Sequence, residues 1–93
     1  MPNQQPISAL ESTPDEIRVN LGEWVRVQSS NIHRVSYSKF DQVLAIEFHG
    51  GREYWYRGVP ESIWEGLLAA SSKGGYHHQN IKWDFPYVQV RGP

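Results

Sequence analysis

The chain has 93 residues, a formal net charge of −1, 39% hydrophobic and 20% charged side chains, and no cysteine. That is enough for one domain with a thin core, and it excludes disulfide frameworks, thiolate metal sites and cysteine nucleophiles while fitting a reducing compartment. No apolar run approaches the roughly 18 residues of a membrane helix, and the polar opening MPNQQPIS has no signal-peptide core, so the expectation is a cytoplasmic protein without a membrane partner.

Charge is unevenly spread: residues 1–25 carry −3 and residues 26–93 carry +2. A dedicated polyanion binder carries a larger surplus, so bulk charge argues against tight nucleic-acid binding and leaves room for a local basic patch. Residues 1–24 read as a partly flexible N-terminal extension, and residues 25–91 as a single domain. Within the extension, Thr13-Pro14-Asp15-Glu16 has the pattern of a helix start: hydroxyl cap, proline, then acids near the positive helix end. Alternation of Ile17, Val19 and Leu21 before Gly22-Glu23 competes with it, as a turn into Trp24–Val27. The favoured reading is a short helical turn near Pro14 followed by extended chain.

Beyond the Ser29-Ser30-Asn31 turn cluster, Ile32–Tyr37 reads as a strand, with Val35 and Tyr37 on one face. Val43–Phe48 is the next, with Leu44, Ile46 and Phe48 as its apolar face. His49-Gly50-Gly51 turns the chain into Arg52–Arg57, completing an antiparallel meander. Pro60 then starts a helix to about Ala70, whose stripe of Ile63, Trp64, Leu67 and Leu68 packs on the sheet. Gly66 inside that helix costs about 1 kcal/mol relative to Ala, which implies the close approach of a neighbour. Ser71–Gly75 breaks the helix and caps a second one from Tyr76 to Lys82. Val88 and Val90 can add a short last strand. The fold class is therefore α+β: a small antiparallel meander of three to four strands with two short helices on one face. Its expected core is Val35, Tyr37, Leu44, Ile46, Phe48, Val59, Ile63, Trp64, Leu67, Leu68, Tyr76 and Ile81.

Three segments, SSNIHRVSY at 29–37, LAIEFHGGREYWYRGVP at 44–60 and LAASSKGGYHHQNI at 68–81, resemble the KTSC domain. That family is named for a segment at the carboxyl end of some lysyl-tRNA synthetases and also occurs as small stand-alone bacterial proteins. The resemblance covers about residues 25–91 and rests on Tyr54-X-Tyr56, Gly58-Val59-Pro60 and Ser72-Lys73-Gly74. It implies a small binding module, with RNA suggested by the domain's association with a tRNA synthetase. The middle of the Tyr-X-Tyr element is usually polar in the family; here it is Trp55.

The loop length between the second and third meander strands decides the faces. A two-residue Gly50-Gly51 turn sends Trp55 into the core and both tyrosines outward. A three-residue His49–Gly51 loop pairs Tyr54 with Ile46 and Tyr56 with Leu44 and turns Trp55 outward; one slip exchanges the faces completely. The longer loop is favoured, because it keeps Glu53 and Arg57 on the outer face. Tyr54 and Tyr56 then read first as core aromatics with hydroxyls at the rim, and second as a stacking platform for unpaired bases. Trp55 is the better stacking candidate, with Glu53 beside it counting against phosphate. Arg57, Lys73 and Lys82 can form a basic patch with Trp55 and Trp83, and Arg34 and Arg52 can add to it from the outer face; solvated surface charge is the plainer reading of each alone. His33, His49, His77 and His78 lack metal-ligand spacing, Ser72-Lys73 is better suited to capping than to nucleophilic catalysis, and no cofactor is implied. The expected function is a non-catalytic module contacting RNA through Tyr54, Trp55, Tyr56, Arg57, Lys73 and Lys82. The alternative is a protein-interaction module anchored by exposed Trp55 and Trp83.

Overall fold

The computed structural model describes residues 19–93, so the Thr13–Glu16 helix start lies outside the described residues. Five strands form one antiparallel sheet in the order β1-β2-β3-β4-β5: β1 Val25–Arg26, β2 Ile32–Ser38, β3 Val43–Phe48, β4 Glu53–Arg57 and β5 Tyr87–Arg91. The sheet is thus one strand wider than the three to four expected. The added strand is β1, two residues long, where Val25 pairs with Val35 and Arg26 with Arg34. Just before it, the Gly22 amide donates to Tyr37 O at 2.9 Å and Ser36 Oγ donates to Gly22 O at 2.8 Å. These bonds satisfy polar groups of a strand that is buried along most of its length.

The central hairpin takes the longer loop. Leu44 faces Tyr56, Ile46 faces Tyr54 and Ala45 faces Trp55, while Phe48 and Arg52 close the loop through Phe48 N–H to Arg52 O at 2.8 Å. Gly50 and Gly51 both have positive φ, 99° and 97°, a conformation that side chains resist. The inner face therefore carries Val35, Tyr37, Leu44, Ile46 and Tyr56. The outer face carries Arg34, Ser36, Ala45, Glu47, Glu53, Trp55 and Arg57.

Two helices lie on the inner face: α1, Glu61–Ala69, and α2, Lys73–Asn80. Helix α1 buries Leu67 fully and packs Ile63 and Trp64 against the core; Trp64 stacks nearly parallel on Tyr37 at 5.5 Å. Leu68, expected in the core, is exposed. It sits one residue, about 100°, round the helix from Leu67, which takes the inward position. Helix α2 begins at Lys73 rather than Tyr76, because Ser72 Oγ accepts the Gly75 amide at 3.1 Å and caps the first turn. Ile81 anchors its far end in the core beside Val59 and Leu67. The core also includes Ile32, which the sequence pattern assigns to a strand without marking it as a core position.

Candidate nucleic-acid interface

Register on the outer face lines up four charges across four strands: Arg34 opposite Glu47, Glu47 opposite Glu53, and Glu53 opposite Arg91. Two carboxylates side by side repel, so each is neutralised from its far side. Arg34 Nε bonds and pairs with Glu47, and the Arg34 Cζ lies 4.2 Å from the Trp24 ring centroid. Arg91 Nε donates to Glu53 at 3.0 Å. Glu53 is 2% exposed, and its second oxygen accepts Trp55 Nε1–H at 2.8 Å. The hydrogen bond from Arg34, and then its positive charge, hold the Glu47 carboxyl below its ordinary range against the opposing effect of burial. Trp55 does lie on the outer face, as expected. It is half-buried there, with its indole N–H committed to a carboxylate.

The inner face is different. Where the sheet extends past α2 toward β5, a cavity of about 550 Å³ opens between them. Its rings are Phe48, Tyr54, Tyr56 and Tyr87 from the sheet and His77, His78 and Trp83 from α2 and the turn after it, with His49 from the hairpin loop. Arg52 and Lys82 also line it, and no carboxylate does. Tyr54 and Tyr87 are stacked at 4.9 Å and 15°, and Phe48 meets both Tyr54 and His77 edge-on. At the floor, Tyr56 Oη and His77 Nε2 share a 2.8 Å hydrogen bond, its direction set by the imidazole tautomer. Burial, reinforced by Lys82 and His78, pushes the His77 pKa down to about 4, and burial raises that of the Tyr56 phenol. Both groups are therefore neutral at physiological pH, and the positive charge of the cleft comes from Arg52 and Lys82.

The six residues singled out from sequence separate. Tyr54, Tyr56 and Lys82 come together in the cleft; Trp55 and Arg57 lie on the opposite face of the sheet. Arg57 donates its amide to Pro86 O at 2.9 Å. Lys73 is in the first turn of α2 and reaches back to α1, where its ammonium donates to Leu68 O at 2.8 Å and to Ala70 O. It closes the carboxyl end of α1 and does not line the cleft. The single patch of Trp55, Arg57, Lys73, Lys82 and Trp83 thus does not form. Arg52, assigned to the outer face, lies on the inner one, because closing the hairpin at the Phe48–Arg52 pair places both side chains on the same face. Tyr87 was not recognised as a site residue; its register opposite Tyr56 is the signal that places it there.

A family model described as the KTSC domain matches residues 28–85. A protein from Tsukamurella paurometabola is 39% identical over 64 residues, spanning 69% of this chain and 96% of the relative. The lysine–tRNA ligase of Trichormus variabilis is 38% identical over 66 residues, 71% of this chain but 12% of the ligase. A crystal structure of a KTSC domain protein from Yersinia pestis superposes with a TM-score of 0.69 at 32% identity, covering 73% of this chain and 96% of that one. Among the described residues no group of three or more His, Asp or Glu side chains can hold a metal ion, and no helix is long and apolar enough to cross a membrane.

Proposed function

The chain belongs to the KTSC domain family, and from that premise we propose that it is a small non-catalytic module that binds unpaired RNA in the inner cleft. One observation carries this reading: a concave surface combining eight aromatic and imidazole rings with Arg52 and Lys82 and no carboxylate. Rings stack on the faces of bases whatever their identity, and cations without a neighbouring acid attract phosphates. The similarity of this domain to part of a lysine–tRNA ligase supports an RNA ligand. The ligase activity itself belongs to the much longer enzyme. The contact set shifts accordingly: Tyr54, Tyr56 and Lys82 stay, Arg52, Trp83 and Tyr87 join them, and Trp55, Arg57 and Lys73 leave it.

A protein partner anchored by two tryptophans fits less well, since Trp55 and Trp83 lie on opposite faces of the sheet. The test is anisotropy of labelled single-stranded and bulged-hairpin RNAs titrated with the full chain at low salt. Tyr87→Ala and Lys82→Glu weaken binding, whereas Trp55→Phe, on the other face, leaves it unchanged. Absence of saturable binding at low salt, or weakening by Trp55→Phe alone, overturns the proposal.

A further inference from the structure

Trp83 is the most exposed of the cleft's Phe, Tyr and Trp rings. It is 72% exposed, yet it is held from two sides. The Lys82 ammonium lies 4.9 Å from its centroid, over the ring, and His78 stands edge-on to it at 6.4 Å and 82°. A large apolar ring left in water beside a cavity, braced by its own neighbours, is shaped to receive something flat. Tyr87 lines the same cavity from β5; it is 51% exposed, and one of its faces is already taken by Tyr54. Two exposed rings therefore border one cavity, one from the turn after α2 and one from β5. The cavity, about 550 Å³, is within the range of small-ligand pockets.

From this we propose, resting on the RNA reading above, that Trp83 and Tyr87 are the two jaws of a clamp for a single splayed-out base. The ligand class is then RNA carrying a bulged or otherwise isolated unpaired nucleotide, rather than a continuously stacked single strand. A base taken between two rings must leave its own stack, and a bulged base has already lost its pairing partner, so it enters at the smallest cost. Arg52 and Lys82 lie along the same cavity, where they meet the phosphates on either side of the clamped nucleoside. Trp83 is the more exposed jaw of the clamp, and Lys82 serves both charge and ring.

The experiment uses the full chain, one unstructured single strand and three hairpins with one stem: fully paired, with a single purine bulge, and with that bulge made abasic. The bulged hairpin binds roughly 5- to 150-fold more tightly than the abasic one, the worth of a base–ring stack. Trp83→Ala brings that ratio to about one, and Trp83→Phe retains most of it. Because Trp83 is exposed, both variants keep the wild-type melting temperature, which is measured alongside. A ratio unchanged in Trp83→Ala, equal affinity for all three hairpins, or tighter binding of a continuous unstructured strand than of the bulged hairpin overturns the clamp. If the hairpins still bind and still weaken with Lys82→Glu, the RNA reading survives that loss. If none binds at low salt, the RNA reading falls and takes the clamp with it.

Discussion

His77 shows how one side chain ties the cleft to stability. Its imidazole is buried, neutral and bonded to Tyr56 Oη, with its pKa lowered to about 4 from an ordinary 6.5. Between those two values the unfolded chain takes up a proton that the folded chain refuses, so stability falls as the pH drops from about 6.5 toward 4. Melting temperatures measured down that range should decline for the wild type. In His77→Gln, which keeps a polar partner for Tyr56, the decline should be shallower. Gly66 illustrates a different constraint. A Cβ there would lie 2.1 Å from Tyr76 Oη and 2.7 Å from its Cζ. Gly66→Ala should therefore destabilise by about 1–3 kcal/mol in urea unfolding, despite the better helix propensity of alanine. The need for close approach at Gly66 was legible in the sequence, because a glycine in a helix interior calls for a reason. The state of His77 was not, since it depends on Phe48, Tyr56 and Lys82 gathering round it from three other segments.

Among the elements, the hairpin register was legible from two charges: only the longer loop keeps Glu53 and Arg57 off the apolar face. Strand β1 was not, because a two-residue strand has no periodicity to read and exists through its pairing with β2. The start of α2 was obscured by Gly74 and Gly75, poor helix formers whose propensity is outweighed by the Ser72 cap and by the seating of Ile81. The same turn explains why Lys73 reads as a phosphate ligand in sequence and works as a cap in the fold. Its ammonium supplies donors to two carbonyls that the end of α1 leaves without helical partners. Lys73→Met should lower stability by roughly 1 kcal/mol and leave RNA affinity unchanged, read from chemical denaturation and anisotropy on the same protein.

Across the whole molecule, the two faces of the sheet divide the charge. Glu47 and Glu53 lie on the outer face between two arginines, and the cleft on the inner face keeps cations only. A chain with a net charge of −1 can in this way present a positive surface, which is why bulk composition understated the cleft. With Arg52 and Lys82 as the two phosphate contacts, log K should fall against log salt with a slope of about −1.4, and Lys82→Glu should flatten it. The outer row is testable by stability: Arg91→Ala leaves Glu53 buried beside Glu47 and should cost on the order of 2 kcal/mol, with part recovered in the Arg91→Ala/Glu53→Gln double variant.

The strand order has a kinetic consequence as well. Strands β1 to β4 pair through short connections, whereas β5 reaches β4 only after both helices have been laid down between them, closing the longest loop in the sheet. Loop-closure entropy makes that pairing the costliest of the sheet to close, so it should form after the β2–β4 meander. The cleft, which has β4 on one side of that seam and β5 on the other, should then be completed only when β5 docks. In hydrogen exchange, amides of β5 should exchange ahead of those in β3, and a bound ligand that bridges α2 and β5 should slow the former far more than the latter.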